Sequence, residues 1–304
     1  MVRRCGGAMV LASVVLACST DAVTQSAPAA KFDSSRAYEH LRRQVGFGPR
    51  PSGSAALTQT RHYILNELKA AGIQAREDAW DAITPLGPVR MVNVIATIPG
   101  RRTDRIALAT HYDTKLFNDV RFVGASDGAS STAAVLELGR VLTTRQNEYT
   151  IELLFFDGEE ARRLEWAGTD NTYGSRHYVE VARKTGTLPS LKALVLLDMI
   201  GDRNLNIRRE SASTRWLNDV IWAAARRLGY TREFLNEEFA IGGDDHFPFL
   251  DAGVPAVDII DFDYPAWHTP QDDLDHVSAR SLQVVGDVVL AAWPDIEKRI
   301  ASTR

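Results

Sequence analysis

The chain has 304 residues, 45% of them hydrophobic and 24% charged, with 21 glycines and 12 prolines. These proportions exclude disordered, collagen-like and fibrous classes, and the length allows a core that needs no disulfide. With 35 Lys and Arg against 39 Asp and Glu, a net charge of −4 and no long basic run, the electrostatic footprint of a nucleic-acid binder is absent.

Residues 1–18 open with Arg3 and Arg4, continue as a short apolar stretch and end on small residues. That is the layout of a secretory signal, too short to span a bilayer. Val15-Leu16-Ala17-Cys18 resembles a bacterial lipobox, so the expected state is an exported, periplasmic protein whose only membrane contact is a lipid on Cys18. Residues 19–31 are small and polar and read as a flexible tether. Cys5 and Cys18 are the only cysteines. The body, expected as a single catalytic domain over 32–304, therefore has no thiolate, and a metal there must be held by His and carboxylates.

Apolar residues Leu57, Ile64, Leu65 and Leu68 followed by Gly72 predict an amphipathic helix over 54–71. The runs 91–98 (MVNVIATI), 106–110 (IALAT), 150–156 (TIELLFF), 193–197 (ALVLL) and 256–260 (AVDII) are short and almost uninterruptedly apolar, as in strands buried on both faces. Helical stretches at 131–142, 175–185, 213–228 and 278–300 separate or follow them. Strands alternating with helices predict a three-layer α/β fold, with an open, mostly parallel sheet covered on both faces.

In such a sheet ligands bind beyond the carboxyl ends of the strands. There the runs deliver His111-Tyr112-Asp113, Asp157-Gly158-Glu159-Glu160, Asp198 and, after a loop, Trp267-His268. Asp127 sits in a Gly/Ser turn opening the helix near Ser131, beside a helix N-terminus. Each residue alone is more often a turn or cap residue than a catalytic one. Together, His111, Asp127, Glu160, Asp198 and His268 form an imidazole–carboxylate donor set suited to a catalytic zinc, which needs three protein ligands and an open position. Two adjacent glutamates at a strand end point in different directions, so one binds metal while its neighbour shuttles protons.

His-Tyr-Asp-Thr-Lys (111–115), Gly-Ala-Ser-Asp-Gly-Ala (124–129), Phe-Asp-Gly-Glu-Glu-Ala (156–161), Tyr-Gly-Ser-Arg-His (173–177), Leu-Leu-Asp-Met-Ile-Gly (196–201), Asp-Asp-His-Phe-Pro-Phe (244–249) and Trp-His-Thr (267–269) stand in one order over residues 38–300. In that order they resemble the glutaminyl cyclases of animal and bacterial type, glutaminyl-peptide cyclotransferases built on the zinc aminopeptidase fold. The resemblance implies a single zinc ion on Asp127, Glu160 and His268, with Glu159 as general base and acid. It makes Asp198 and Asp244 (or its neighbour Asp245) the aspartates near the reacting amine, and Trp267 and Trp166 pocket walls. Segment 161–170 is about one residue longer than the animal pattern. Ile241-Gly242-Gly243 replaces bulkier residues, implying a more open pocket. The implied partners are peptides or proteins with N-terminal glutamine, bound by a monomer.

Two other readings use the same residues. A dinuclear zinc aminopeptidase would place a second metal on His111 and Asp198, with Asp127 bridging. A non-catalytic binding lipoprotein on the same fold is the other, although no ligand and no base is missing.

Overall fold

The computed structural model describes residues 1–3, 5–7 and 30–302. Cys18 and nearly all of the expected signal and tether lie outside the described residues. Two helices come first, α1 (Ser34–Gly46), N-capped by the Asp33 carboxylate, and α2 (Ala55–Ala70), N-capped by the Ser54 hydroxyl. Then follow β1 (Gln74–Thr84), β2 (Gly87–Ile98), β3 (Arg102–His111), α3 (Ala129–Leu142), β4 (Tyr149–Phe156), α4 (Tyr173–Lys184) and β5 (Leu191–Asp198). The chain continues through β6 (Ile207–Glu210), α5 (Arg215–Leu228), β7 (Phe234–Phe239), α6 (Phe247–Asp251), β8 (Ala256–Ile260) and α7 (Ala279–Ser302).

Six strands form one sheet in the order β1-β2-β4-β3-β5-β8, and β6 and β7 form a separate pair. Strands β4, β3, β5 and β8 run parallel, whereas β2 is antiparallel to both β4 and β1. The sheet is therefore mixed and mostly parallel. Its central strands alternate strictly between two cores, because successive side chains leave a strand on opposite faces. Ile106, Leu108, Ile151, Leu153, Phe155, Val195 and Leu197 face α1, α2, α3, α5 and α7. Ala107, Ala109, Leu154, Phe156, Leu194 and Leu196 face α4 and α6.

Every strand and helix expected from periodicity is present, with boundaries shifted by a few residues. Four parts had no clear signal, one of them the five-residue helix α6. In α1 the buried positions Ala37, His40, Leu41, Gln44 and Val45 have helical spacing, but two of the five are polar. The edge strand β1 (QAREDAWDAIT) is mostly exposed and reads as polar. The β6–β7 pair is short and lies outside the main sheet.

Candidate metal centre and active site

The parallel strands end together, and their ends carry the site. His111 is the last residue of β3 and Asp198 the last of β5. Glu159 and Glu160 follow β4, and His268 lies in the loop after β8 with φ of 55°, a conformation held only where the surroundings over-determine it. Asp127 occupies the turn entering α3. There Gly128 takes φ of 87°, and a Cβ would lie 2.6 Å from the Asp113 carbonyl oxygen. Glycine is thus required for this turn to approach β3.

Asp127, Glu160 and His268 converge on one point. His268 Nε2 lies 3.0 Å from Glu160 Oε1 and 3.4 Å from Asp127 Oδ2. Asp127 Oδ2 and Glu160 Oε2 are buried and have no hydrogen-bond partner. Buried carboxylate oxygens without a donor are costly unless a cation completes them. Ligands held about 2.0–2.2 Å from a tetrahedral zinc stand roughly 3.3 Å apart, so the donor spacing and donor chemistry fit that ion. Lys115 Nζ stands 3.7 Å from Glu160 Oε2.

His111 lies on the other side of Asp127. Its Nε2 is 3.0 Å from Asp198 Oδ1 and 3.3 Å from Asp127 Oδ1, so the two oxygens of Asp127 face two separate clusters. Asp198 Oδ1 also accepts the Met199 N–H at 2.7 Å. Asp113, expected to orient His111 or to serve a turn, accepts the backbone N–H groups of Glu159 and Glu160 at 3.2 and 3.4 Å, with His111 Nδ1 at 3.5 Å. It thereby fixes the direction in which the paired glutamates leave β4.

Electrostatics follow from this crowding. Burial pushes Glu159 well above the usual carboxylate range; the His111 cation opposes that rise, and the charges of Glu160, Asp244 and Asp245 reinforce it. Burial likewise raises Asp198 to about 7. Burial would depress His268, but Glu160 and Asp127 reverse the sign and raise it to about 10. The same reversal holds for His111, driven by Asp198 and by hydrogen bonds to Asp113, Asp127 and Asp198.

These groups floor a cleft of about 220 Å³ whose lining includes Asp127, Glu159, Glu160, Asp198, Asp244 and His268. Trp166 and Trp267 stand at its rim, each 39% exposed, so the longer 161–170 segment still brings Trp166 to the cleft. Trp267 stacks on His268 with ring centroids 4.2 Å apart, and Phe262 packs on Trp267 at 4.8 Å. Ile241 and Gly243 line the wall. Of the two neighbouring aspartates, Asp244 faces the cleft, whereas Asp245 accepts the Ser175 hydroxyl behind it. His246 is wholly buried and bonds Glu210 at 3.1 Å. Sequence reasoning missed Phe262, Leu164 and Met199 as cleft residues: Met199 and Phe262 stand one and two residues past the ends of β5 and β8, but strand ends are read for polar donors, and an apolar side chain there reads as core.

A sheet of this order, with paired His–carboxylate clusters sharing one aspartate at its carboxyl edge, has the architecture of the zinc exopeptidase-like enzymes. The family profile described as "Peptidase family M28" matches residues 93–293. The glutaminyl-peptide cyclotransferase-like protein of Mus musculus is 34% identical over 252 residues, covering 73% of this chain and 66% of that protein, so this chain spans slightly under two thirds of that relative. Among solved structures, glutaminyl cyclase from an Acidobacteriales bacterium is 39% identical, with a TM-score of 0.84 over 92% of this chain and 100% of that one. The leucine aminopeptidase precursor of Bacteroides thetaiotaomicron is 29% identical, with a TM-score of 0.80 over 88% of this chain and 98% of that one. The chain belongs to peptidase family M28 and, within it, to the glutaminyl-peptide cyclotransferases.

Proposed function

We propose that this protein converts N-terminal glutaminyl residues of peptides and proteins to pyroglutamyl residues with release of ammonia, using one zinc ion on Asp127, Glu160 and His268. The observation that carries the single-ion reading is where the unsatisfied oxygens lie. They include Asp127 Oδ2 and Glu160 Oε2, and Asp127, Glu160 and His268 all line the cleft, whereas His111 is buried outside its lining; in both clusters the imidazole Nε2 stands 3.0 Å from a carboxylate oxygen. When bound there, zinc supplies Lewis-acid polarisation of the γ-carbonyl oxygen.

The rest falls to the chain's own side chains. The substrate's α-amine forms a bond to the carbonyl carbon of its own side-chain amide (Cδ) as the bond from that carbon to the amide nitrogen breaks, so one proton must leave the amine and one must reach the departing ammonia. Glu159 carries that proton, since it lines the cleft beside Glu160 and burial raises its affinity for a proton above that of an ordinary carboxylate. Asp198 and Asp244 both line the cleft, where their carboxyl groups would flank and orient the amine. Trp267, Trp166 and Phe262 wall the folded-back side chain and exclude the water that would hydrolyse the amide. Export with a lipid on Cys18 and action as a monomer complete the proposal; the basic-then-apolar N-terminus ending at Cys18 supports the first part.

The His111, Asp127 and Asp198 cluster favours a second reading, a two-zinc aminopeptidase in which Asp127 bridges. Purified protein given a Gln-initiated peptide separates the two. Ammonia and a pyroglutamyl peptide with about one zinc per chain are expected from the donor count. Free amino acids with two zincs per chain would overturn the cyclase reading.

A further inference from the structure

The turn that presents Asp127 is held from two sides by buried side chains. Arg50, wholly buried, donates to the carbonyl oxygens of Val123 at 2.6 Å and Gly124 at 3.1 Å. On the other side, three consecutive backbone N–H groups all end on one residue, Asp272. Ala125 donates to the Asp272 carbonyl oxygen at 3.2 Å, Ser126 to Oδ1 at 2.7 Å and Asp127 to Oδ2 at 3.1 Å.

Asp272 also closes the loop that carries the other ligand. Tyr264 donates its hydroxyl to Asp272 Oδ1 at 2.9 Å, Trp267 N–H bonds Tyr264 O, Thr269 N–H bonds Ala266 O, and Asp272 N–H bonds Thr269 O. His268, with its left-handed backbone, lies inside this ring of turns. A buried carboxyl group accepting three hydrogen bonds of 2.7–3.1 Å from two segments is a rigid anchor. Asp272 is 0% exposed and lies outside the cleft lining, so it acts on the site only through the two loops it joins.

We propose that Asp272 is a positioning residue that locks the Asp127 turn to the His268 loop, so that the grip on the metal depends on a carboxylate that touches neither metal nor substrate. This rests on the placement of zinc at Asp127 and His268, which the one-zinc and two-zinc readings share, and not on the identity of the reaction. Residues that orient metal ligands change metal affinity about 10- to 100-fold when altered.

The test measures zinc affinity by chelator competition, alongside thermal unfolding of the zinc-free protein, for wild type and Asp272→Asn. The expected result is folded Asp272→Asn with zinc affinity weakened at least ~10-fold. A purely structural residue would lower the zinc-free unfolding temperature and leave the folded protein's zinc affinity within about twofold, a result that overturns the proposal. If Asp272→Asn does not fold, Tyr264→Phe carries the test, because it removes one donor from Oδ1 without burying a new polar group. Loss of that hydrogen bond is expected to weaken zinc by roughly threefold or more, and unchanged affinity overturns the proposal. Wild type that binds no zinc overturns this proposal together with the metal assignment. Wild type that binds zinc but leaves glutaminyl peptides intact overturns the cyclase reading alone.

Discussion

Two clusters of nearly identical chemistry share Asp127, yet they differ in what they have left to offer. Each contains one imidazole and a second carboxylate. In the inner one His111 is 1% exposed and outside the cleft lining, with its Nε2 3.0 Å from Asp198 Oδ1, an oxygen that also takes the Met199 N–H. In the outer one His268 Nε2 is likewise 3.0 Å from Glu160 Oε1, but its side chain is 21% exposed toward the cleft, and Asp127 Oδ2 and Glu160 Oε2 have no neighbour at hydrogen-bond distance beyond the looser approaches of His268 and Lys115. The difference teaches that a ligand set is defined by unsatisfied valence and access as much as by residue type. On the proposed one-zinc reading the inner cluster braces Asp127 and the outer one binds.

The sharpest way to break that distinction is to remove one member from each side. Glu160→Ala is expected to lose zinc and, with it, several kcal/mol of charge stabilisation, a fall in turnover of roughly 1,000-fold. His111→Ala is expected to keep one zinc per chain and lose far less. Metal analysis and turnover of the two variants check both, and equal loss of zinc in both would make the inner cluster a binding site after all. A smaller effect isolates proton transfer from binding. Glu159→Gln is expected to retain zinc yet turn over about 100-fold more slowly, since general acid–base groups contribute about that much. A near-normal rate would remove Glu159 from its role.

The smallest effect lies outside both clusters and separates packing from ligation. His40, in α1 with Nδ1 2.7 Å from the Tyr63 hydroxyl, is depressed by burial from 6.5 to about 4. The unfolded chain therefore binds a proton there that the folded chain refuses, and stability falls as pH drops from about 6.5 to 4. Denaturant unfolding at pH 7 and pH 5 should differ by about 2 kcal/mol through this group, and His40→Asn should remove that share of the slope. An unaltered slope in the variant would assign the acid sensitivity elsewhere.

Much of this was readable from the residues. Runs such as IALAT and ALVLL are apolar at every position because both faces of their strands are covered, and that signal survives without any knowledge of neighbours. Asp113 illustrates what was not readable. Its spacing from His111 pointed to that imidazole, whose Nδ1 is indeed 3.5 Å away, but its oxygens also take the N–H groups of Glu159 and Glu160, 46 and 47 residues later, which the spacing did not announce. Asp272 was invisible for a related reason. It stands among acidic residues after His268 that look like a solvated turn, and its partners lie 145 and 146 residues earlier.

Alternation of fully apolar runs with amphipathic stretches determined the layered sheet, and the polar residues ending those runs determined which donors meet at its rim, since both follow from chain-local periodicity. Only the folded structure decided which donors keep free lone pairs, that Asp244 rather than Asp245 faces the cleft, and how the Asp127 and His268 loops are fastened together. Those outcomes depend on hydrogen bonds between segments far apart in the chain, and periodicity along a sequence carries no record of them.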